Sequence, residues 1–518
     1  MSFKICFIGA GSIGFTRTLL TDILSVPEFR DIEVAFTDIN EQNLEMVTQL
    51  CQRDIVKNGL KIKIKPTLDR RRALKGAKYV INCVRIGVLD GFKTDIEIPL
   101  RYGIDQCVGD TLCAGGIMYG QRGVAAILDF CRDIREVCAP DVLMLNYANP
   151  NAMMTWAANE YGHVNTVGLC HGVQGGHWLI ANAFGLEMKD VDIICAGINH
   201  QTWYIQIKHN GEDLTGKLLE ALENNETYSK TEKVRIDMLR RFGYFSTESN
   251  GHLSEYVSWY RKRPERIGEY ISLDSWINGE TGGYLRVCVE GRNWFETDFP
   301  NWLAGPPKKY DGSERSLEHG SHIMEGLETG RCYRGHFNVV NHDAITNLPP
   351  DAIVEVPGYV DHNGINIPSV GELPLGCAAI CNQSIAVQRL AVRAAVAADR
   401  KLLIQAMMLD PLTGAVCYPD EIEQMVDEFL VEQAQWLPQY KAESELARVR
   451  IDAAKQSGKW ILTREGYEGA ARLHTKTIEE MQRDKDAANA NAAATDKAAA
   501  DRKQGAEKAK KAGAKKVK

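Results

Sequence analysis

Two short stretches of this chain carry side chains suited to holding a divalent cation. Gly168-Leu169-Cys170-His171-Gly172 and Gly197-Ile198-Asn199-His200 offer one thiolate and two imidazoles. Thiolate with imidazole suits a borderline cation, and so small a protein shell leaves coordination positions open for a substrate's oxygens. Cys170 follows the apolar run Thr166-Val167-Gly168-Leu169, and His200 closes the run Ile194 to Ile198. Both are therefore expected at strand ends facing a cleft. Each residue also has a plainer reading when taken singly, since a buried Cys is ordinarily a small apolar core residue and a lone His a satisfied structural one.

A second constellation lies near the N-terminus. Gly9-Ala10-Gly11-Ser12-Ile13-Gly14 follows the apolar run Lys4-Ile5-Cys6-Phe7-Ile8 and opens a helix expected over 15–24. In this strand–turn–helix setting Gly9 permits the tight turn, Gly11 lets backbone approach a pyrophosphate, and Gly14 allows close helix–strand packing. The helix start presents unpaired amides and a positive dipole end to phosphates. Asp38 ends the next strand, expected over 32–37, and is placed to bond a ribose 2′-hydroxyl and to repel a 2′-phosphate, favouring NAD over NADP. The expected cofactor contacts are Gly9, Gly11, Ser12, Gly14 and Asp38, with Asn82 in the strand-like run 80–84.

These elements imply a larger framework. At 518 residues the chain exceeds one ordinary core. Strand-like runs at 4–8, 32–37, 80–84 and 142–146 alternate with helical patterns, notably 124–137, as in a doubly wound parallel sheet with ligands at the C-terminal strand ends. From about residue 152 the pattern becomes mixed, with a strand expected at 353–357, a long helix at 384–409 and a last globular element near 420–437. The expected fold class is α/β: a Rossmann-like domain over 1–200 and a larger α+β substrate domain over 201–483. Residues 484–518 are Ala/Lys-rich and almost free of large apolar side chains, so they are expected to remain a disordered tail.

Composition removes several classes of function. A net charge of −7 gives no sign of nucleic-acid binding, which normally needs a basic face. No apolar run is long enough for a membrane span, and Met1-Ser2-Phe3-Lys4 leads directly into a strand without a leader pattern. The 14 cysteines show no disulfide spacing, and the closest pair, Cys377 and Cys381, lacks a zinc-knuckle interval. A cytoplasmic location is expected.

The order of motifs resembles glycoside hydrolase family 4. Phe7-Ile8-Gly9-Ala10-Gly11-Ser12, Asp110-Thr111 with Gly115-Gly116, Asn146-Tyr147-Ala148-Asn149-Pro150, Cys170-His171 and Gly197-Ile198-Asn199-His200 occur colinearly. The similarity continues through Phe242 to Ser249, His252, Glu255-Tyr256, Leu348-Pro349 and Val354-Glu355-Val356-Pro357, covering about 3–440. The resemblance implies NAD and a divalent metal, usually Mn²⁺, in an oxidation–elimination–addition–reduction route rather than a flanking carboxylate pair. It implies Cys170 and His200 as metal ligands, and Asn149, His171 and His252 as substrate contacts. His171 stands where the phosphosugar branch has an Asp acid, so it is either a leaving-group acid or a substrate contact. The base at C2 falls among Tyr244, Glu248 and Tyr256.

The sugar is read from the residues after Cys170. His171 resembles the branch that acts on unphosphorylated α-glycosides. α-Galactosidases of the family more often carry Ser where this chain has Gly172, which leaves a reshaped pocket open. The expected activity is α-galactosidase, with α-galacturonidase or α-glucosidase as the alternatives, and an NAD-dependent sugar dehydrogenase as a remoter one. Arg85, Arg122 and Arg292 are the candidates to bind a uronate carboxylate. Family likeness also implies a homodimer or homotetramer acting on a small-molecule α-glycoside.

Overall fold

The computed structural model describes residues 2–271, 275–464, 468–470 and 472–488. Its strands are β1 Lys4–Ile8, β2 Glu33–Thr37, β3 Ile64–Thr67, β4 Tyr79–Asn82, β5 Leu143–Asn146, β6 Thr166–Gly168, β7 Asp192–Ile198, β8 Gln201–His209, β9 Glu212–Asp213, β10 Phe245–Ser246, β11 Tyr333–Val340, β12 Ile353–Asp361 and β13 Gly364–Asn366. All join one sheet whose main path runs β10-β8-β7-β12-β11-β6-β5-β4-β1-β2-β3. From β3 to β6 the pairings are parallel, and from β6 to β10 they are antiparallel.

The parallel half has the order 3-2-1-4-5-6 of nucleotide-binding folds, with its switch point between β1 and β4. Its central strands read as continuous apolar runs because helices cover both faces, and β4 and β5 are buried at every position. The antiparallel half joins it through a single residue pair, Asn338 with Gly168. The expected boundary at residue 200 thus falls in the turn of the β7–β8 hairpin, inside one continuous sheet.

Contact density divides the chain into residues 1–285 with 302–473, and residues 286–301 with 474–518. The first unit holds the whole sheet. The second is helical over 286–301 and 478–488 and carries its own ion pairs, such as Arg292–Glu296. Residues 484–488, expected to begin a disordered tail, continue a helix, and 489–518 lie outside the described residues.

Three helix expectations change. The helix expected at 124–137 starts at Cys113, because Gly115 and Gly116 let its first turn lie on other backbone. A Cβ at Gly115 would stand 2.5 Å from the Asp95 carbonyl, and one at Gly116 2.6 Å from the Thr111 backbone. The long helix expected over 384–409 is two helices, Leu375–Ala397 and Arg400–Leu409. Ala398 breaks it at φ 53°, and the Asp399 carboxylate accepts from the Lys401 and Leu402 amides, capping the second helix. Apolar periodicity passes through that break and so conceals it. The element expected near 420–437 is the helix Pro419–Glu432 followed by short 3₁₀ turns.

Candidate active site

At the nucleotide end, Gly9 adopts φ 83°, and any Cβ there would lie 3.0 Å from the Cys83 backbone. Only glycine fits such a turn without strain. Gly11 also meets Asp38: its amide donates to Asp38 Oδ2 at 2.8 Å, and a Cβ would meet that same oxygen at 2.8 Å. The Asp38 carboxylate is held from both sides, since Oδ1 accepts the Asn40 amide at 2.8 Å. Helix Ile13–Leu24 begins after Ser12, whose side chain makes no capping bond, so the first amides keep no partner from it.

Gly14 departs from the expected role. A Cβ there would meet nothing within 4 Å, so close packing does not require this glycine. The open space above the helix start is the kind of cradle a pyrophosphate fills. Asn82 is fully buried and donates to Asn146 Oδ1 at 2.8 Å, tying the ends of β4 and β5 together.

The second centre lies further along the same strand ends. Cys170 follows β6, and His200 occupies the two-residue turn between β7 and β8 at φ 62°. A left-handed conformation in a non-glycine residue is uncommon and marks a site where the surroundings dictate geometry. Glu248 follows β10 and completes the group. One donor atom from each of Cys170, His200 and Glu248 lies within 4.8 Å of the other two. Cys170 Sγ is 3.4 Å from Glu248 Oε1, and His200 Nε2 is 3.8 Å from the same oxygen. Metal–ligand bonds of roughly 2.0–2.3 Å separate neighbouring ligand atoms by about 3–4 Å, so the donor set fits a cation.

The electrostatics agree. Burial, reinforced by the Glu248 and Glu355 carboxylates, pushes the Cys170 thiol well above its ordinary range. Without a cation the thiol proton is retained, and it points toward Glu248. A divalent ion supplies the charge that lets such a thiol deprotonate. Burial opposes ionisation of Glu248, but the imidazoles of His200, His252 and His171 outweigh it and hold the carboxyl at about 2.

A hydrogen-bonded chain orients His200. The Thr111 hydroxyl donates to Asp110 Oδ1 at 3.0 Å, so it accepts from His200 Nδ1 at 2.9 Å. This places the proton on Nδ1 and turns the Nε2 lone pair toward Cys170 and Glu248. Asp110 Oδ2 in turn accepts from Asn149 Nδ2 at 3.1 Å and Arg85 Nη2 at 3.2 Å. The loop bearing Asp110 is pinned by buried Glu255, whose carboxyl accepts the Cys107, Val108 and Gly109 amides at 2.7, 3.1 and 3.0 Å. Burial raises that carboxyl to about 7 despite the nearby Arg261 guanidinium.

The remaining expected residues divide. His171 is exposed and stands apart from the donor group, with Nδ1 3.2 Å from Glu318 Oε1. The Glu318 hydrogen bond, outweighing burial, raises the His171 pKa to about 9 and keeps the ring cationic at neutral pH. His252 is buried beside His200, with ring centroids 5.1 Å apart and Nδ1 2.7 Å from Ser249 Oγ. Burial lowers its pKa to about 4. Tyr256 is fully buried with its hydroxyl 3.3 Å from His200 Nδ1, on the side of the ring away from Glu248. Burial drives its pKa well above the ordinary value, which counts against Tyr256 as a base. Tyr244 is half-buried and packs against the hydrophobic core. Of the three base candidates, Glu248 is the one that joins Cys170 and His200, and a carboxyl near 2 is a weak proton acceptor.

Residues 4–186 match the model of family 4 glycosyl hydrolases, and 195–413 match the family 4 glycosyl hydrolase C-terminal domain. The chain belongs to glycoside hydrolase family 4. This family 4 chain is 55% identical to an alpha-galactosidase from Rhizobium meliloti (strain 1021) over 493 residues, covering 95% of this chain and 99% of the relative. It is 36% identical to an alpha-galactosidase of Bacillus subtilis (strain 168), over 85% of this chain and 100% of the relative. The fold matches a crystal structure of a 6-phospho-alpha-glucosidase from gut microorganisms, in complex with NAD and Mn²⁺, with a TM-score of 0.70 at 19% identity. That match covers 84% of this chain and 99% of the other.

Asp110, Thr111, Glu255 and Glu355 stand in sequence motifs that carry no evident task of their own, and Glu318 stands in none. The positions 248, 252 and 255–256 fall at helix-like intervals, a signal that one face gathers there. Glu355 of β12 lies beneath the β7–β8 turn and accepts from Asn199 Nδ2 at 3.2 Å, with burial lifting its carboxyl to about 8. Glu318 is 147 residues from His171, and no local pattern joins them.

Proposed function

We propose that this family 4 enzyme hydrolyses unphosphorylated α-galactosides with the help of NAD and a divalent cation such as Mn²⁺. The observation that supports the reading is that the glycine turn and Cys170 of the second centre both lie at C-terminal ends of strands in the parallel half of the sheet. Gly9 follows β1, Asn82 ends β4, Asn146 ends β5 and Cys170 follows β6. Three strand spacings of roughly 4.8 Å separate β1 from β6, about 14 Å, a span that a dinucleotide extending along the crevice covers. The 55% identity to an alpha-galactosidase over nearly the whole chain supports the choice of sugar.

When bound, NAD⁺ supplies reversible oxidation of a sugar hydroxyl and the cation polarises the neighbouring sugar oxygens. The chain's residues do the rest. Asp38 receives the adenosine ribose, the open helix start at Ser12 and Gly14 receives the pyrophosphate, and Asn82 lies beyond them in the crevice. Cys170 and His200 hold the cation. Half-exposed Asn149, oriented by Asp110, offers its amide to sugar hydroxyls. His171, cationic and exposed, is placed to give a proton to a leaving glycosidic oxygen. His252 remains neutral and contributes a wall beside His200.

A neutral sugar fits better than a uronate. Arg122 is buried and paired with Asp95, Arg292 pairs with Glu296, and Arg85 already serves Asp110. We also infer a reducing, cytoplasmic setting, supported by the 14 cysteines, none of them in a disulfide, and no helix among the described residues is long and apolar enough to cross a membrane.

Nitrophenyl α-galactoside, α-glucoside and α-galacturonide assayed with NAD⁺ and Mn²⁺ test the reading. The expected result is fastest release from the galactoside with no net NADH. Stoichiometric NADH would mark a dehydrogenase, and preference for the galacturonide would reassign the sugar.

A further inference from the structure

We propose that Glu248 is a third protein ligand in the cation site and that Gly172 is the residue that admits it. The inference rests on the reading of Cys170 and His200 as cation ligands. A Cβ at position 172 would stand 1.6 Å from Glu248 Oε1 and 2.6 Å from its Cδ. No side chain larger than hydrogen coexists with the carboxylate in this position. The Gly172 backbone itself requires no glycine, since its φ is negative, as helix start Gly172–Ala183 demands. The absence of a side chain therefore serves the space and not the turn.

The two backbones are held in place, so a Cβ at 172 would turn the Glu248 carboxylate out of this position. The Glu248 backbone is fixed on both sides: the Thr247 amide donates to the Thr202 carbonyl at 2.9 Å, Thr247 Oγ1 accepts the Thr202 amide at 3.1 Å, and Arg235 Nη1 donates to the Glu248 carbonyl. Ser249 then caps the helix Asn250–Tyr256 by accepting the His252 amide. On the other side, helix Gly172–Ala183 is clamped to β8, because Tyr204 donates its hydroxyl to the Val173 carbonyl at 2.7 Å and a Cβ at Gly176 would meet that hydroxyl oxygen at 2.2 Å.

With the cation bound, one thiolate and one carboxylate balance its two charges, and His200 contributes a neutral donor. Three protein ligands hold the ion in the absence of sugar while leaving positions open for substrate oxygens.

The test is Mn²⁺ binding to the full chain, read from the electron paramagnetic resonance signal of the free aquo ion. NAD binding is measured in parallel as a check that each variant is folded. Gly172→Ala and Glu248→Ala are each expected to weaken Mn²⁺ binding at least about tenfold, by analogy with losses at metal-supporting residues. Gly175→Ala, in the same helix with nothing within 4 Å of its Cβ, is expected to bind as the parent does. The double variant Gly172→Ala/Glu248→Ala is expected to be no weaker than Glu248→Ala alone. Parent-like binding by Gly172→Ala, or additive losses in the double variant, overturns the proposal. Cys170→Ser separates the two readings. If it loses Mn²⁺ while Glu248→Ala does not, the site stands without Glu248, and if it binds as the parent does, the cation site itself is misassigned.

Discussion

The proposed nucleotide turn and the proposed cation centre belong to one sheet but are built in opposite ways. Between Gly9 and Asp38 the chain forms its site from one strand–turn–helix–strand unit, and the decisive contact, the Gly11 amide on Asp38, spans 27 residues. The proposed cation centre gathers Cys170, His200 and Glu248 from three separate turns, and its orienting chain comes from Asp110-Thr111. A contiguous site folds with its supersecondary unit. A dispersed one exists only after β6, β7 and β10 have joined the sheet, and its accuracy depends on contacts far from the donors. The two regions should therefore respond independently to substitution.

The largest expected effect is Cys170→Ser. Turnover with Mn²⁺ should fall by more than about 100-fold while NAD affinity, followed by fluorescence, stays near the parent value. Loss of both together would break the separation between the two regions. Asp38→Ala should do the converse. Removing hydrogen bonds to a charged group costs about 1.5–3 kcal/mol, so NAD affinity should drop roughly 10- to 150-fold with Mn²⁺ binding unchanged.

Thr111→Val tests the dispersed support. It removes the oxygen facing His200 Nδ1, and Mn²⁺ affinity should weaken about 10–100-fold with NAD affinity intact. An unchanged Mn²⁺ titration would show that Thr111 does not set the His200 tautomer. The smallest effect is a shift in pH dependence. The Glu318 carboxylate raises the His171 pKa to about 9, so removing its charge must lower that pKa. If His171 is the proton donor, the alkaline limb of kcat/KM lies near pH 9 in the parent and moves toward the ordinary histidine value of about 6.5 in Glu318→Gln. Superimposable profiles would assign His171 to substrate contact.

Legibility followed the same division. The strands β1, β2, β4 and β5 and the glycine turn were readable because buried parallel strands are apolar throughout and punctuated by glycine. The long helix over 384–409 misled, since its apolar face continues across Ala398 and only the local backbone reveals the break. Gly14 was readable as a motif position, yet the reason for it was not, because empty space leaves no trace in sequence. Cys170 and His200 could be named from residue chemistry and from family likeness. The contact between Glu318 and His171 could not, since nothing periodic links residues 147 positions apart.

By itself, the sequence determined the residue types and their order: a nucleotide turn with its carboxylate, a thiolate, an imidazole and the family to which they belong. Tertiary structure decided which atoms meet. It placed Glu248 over Gly172, turned His200 through Thr111, and separated His171 from the donor group by pairing it with Glu318. The physical reason is that donor chemistry belongs to single side chains, whereas ligand geometry and proton affinity depend on burial and on neighbours that only a packed sheet brings within a few ångströms.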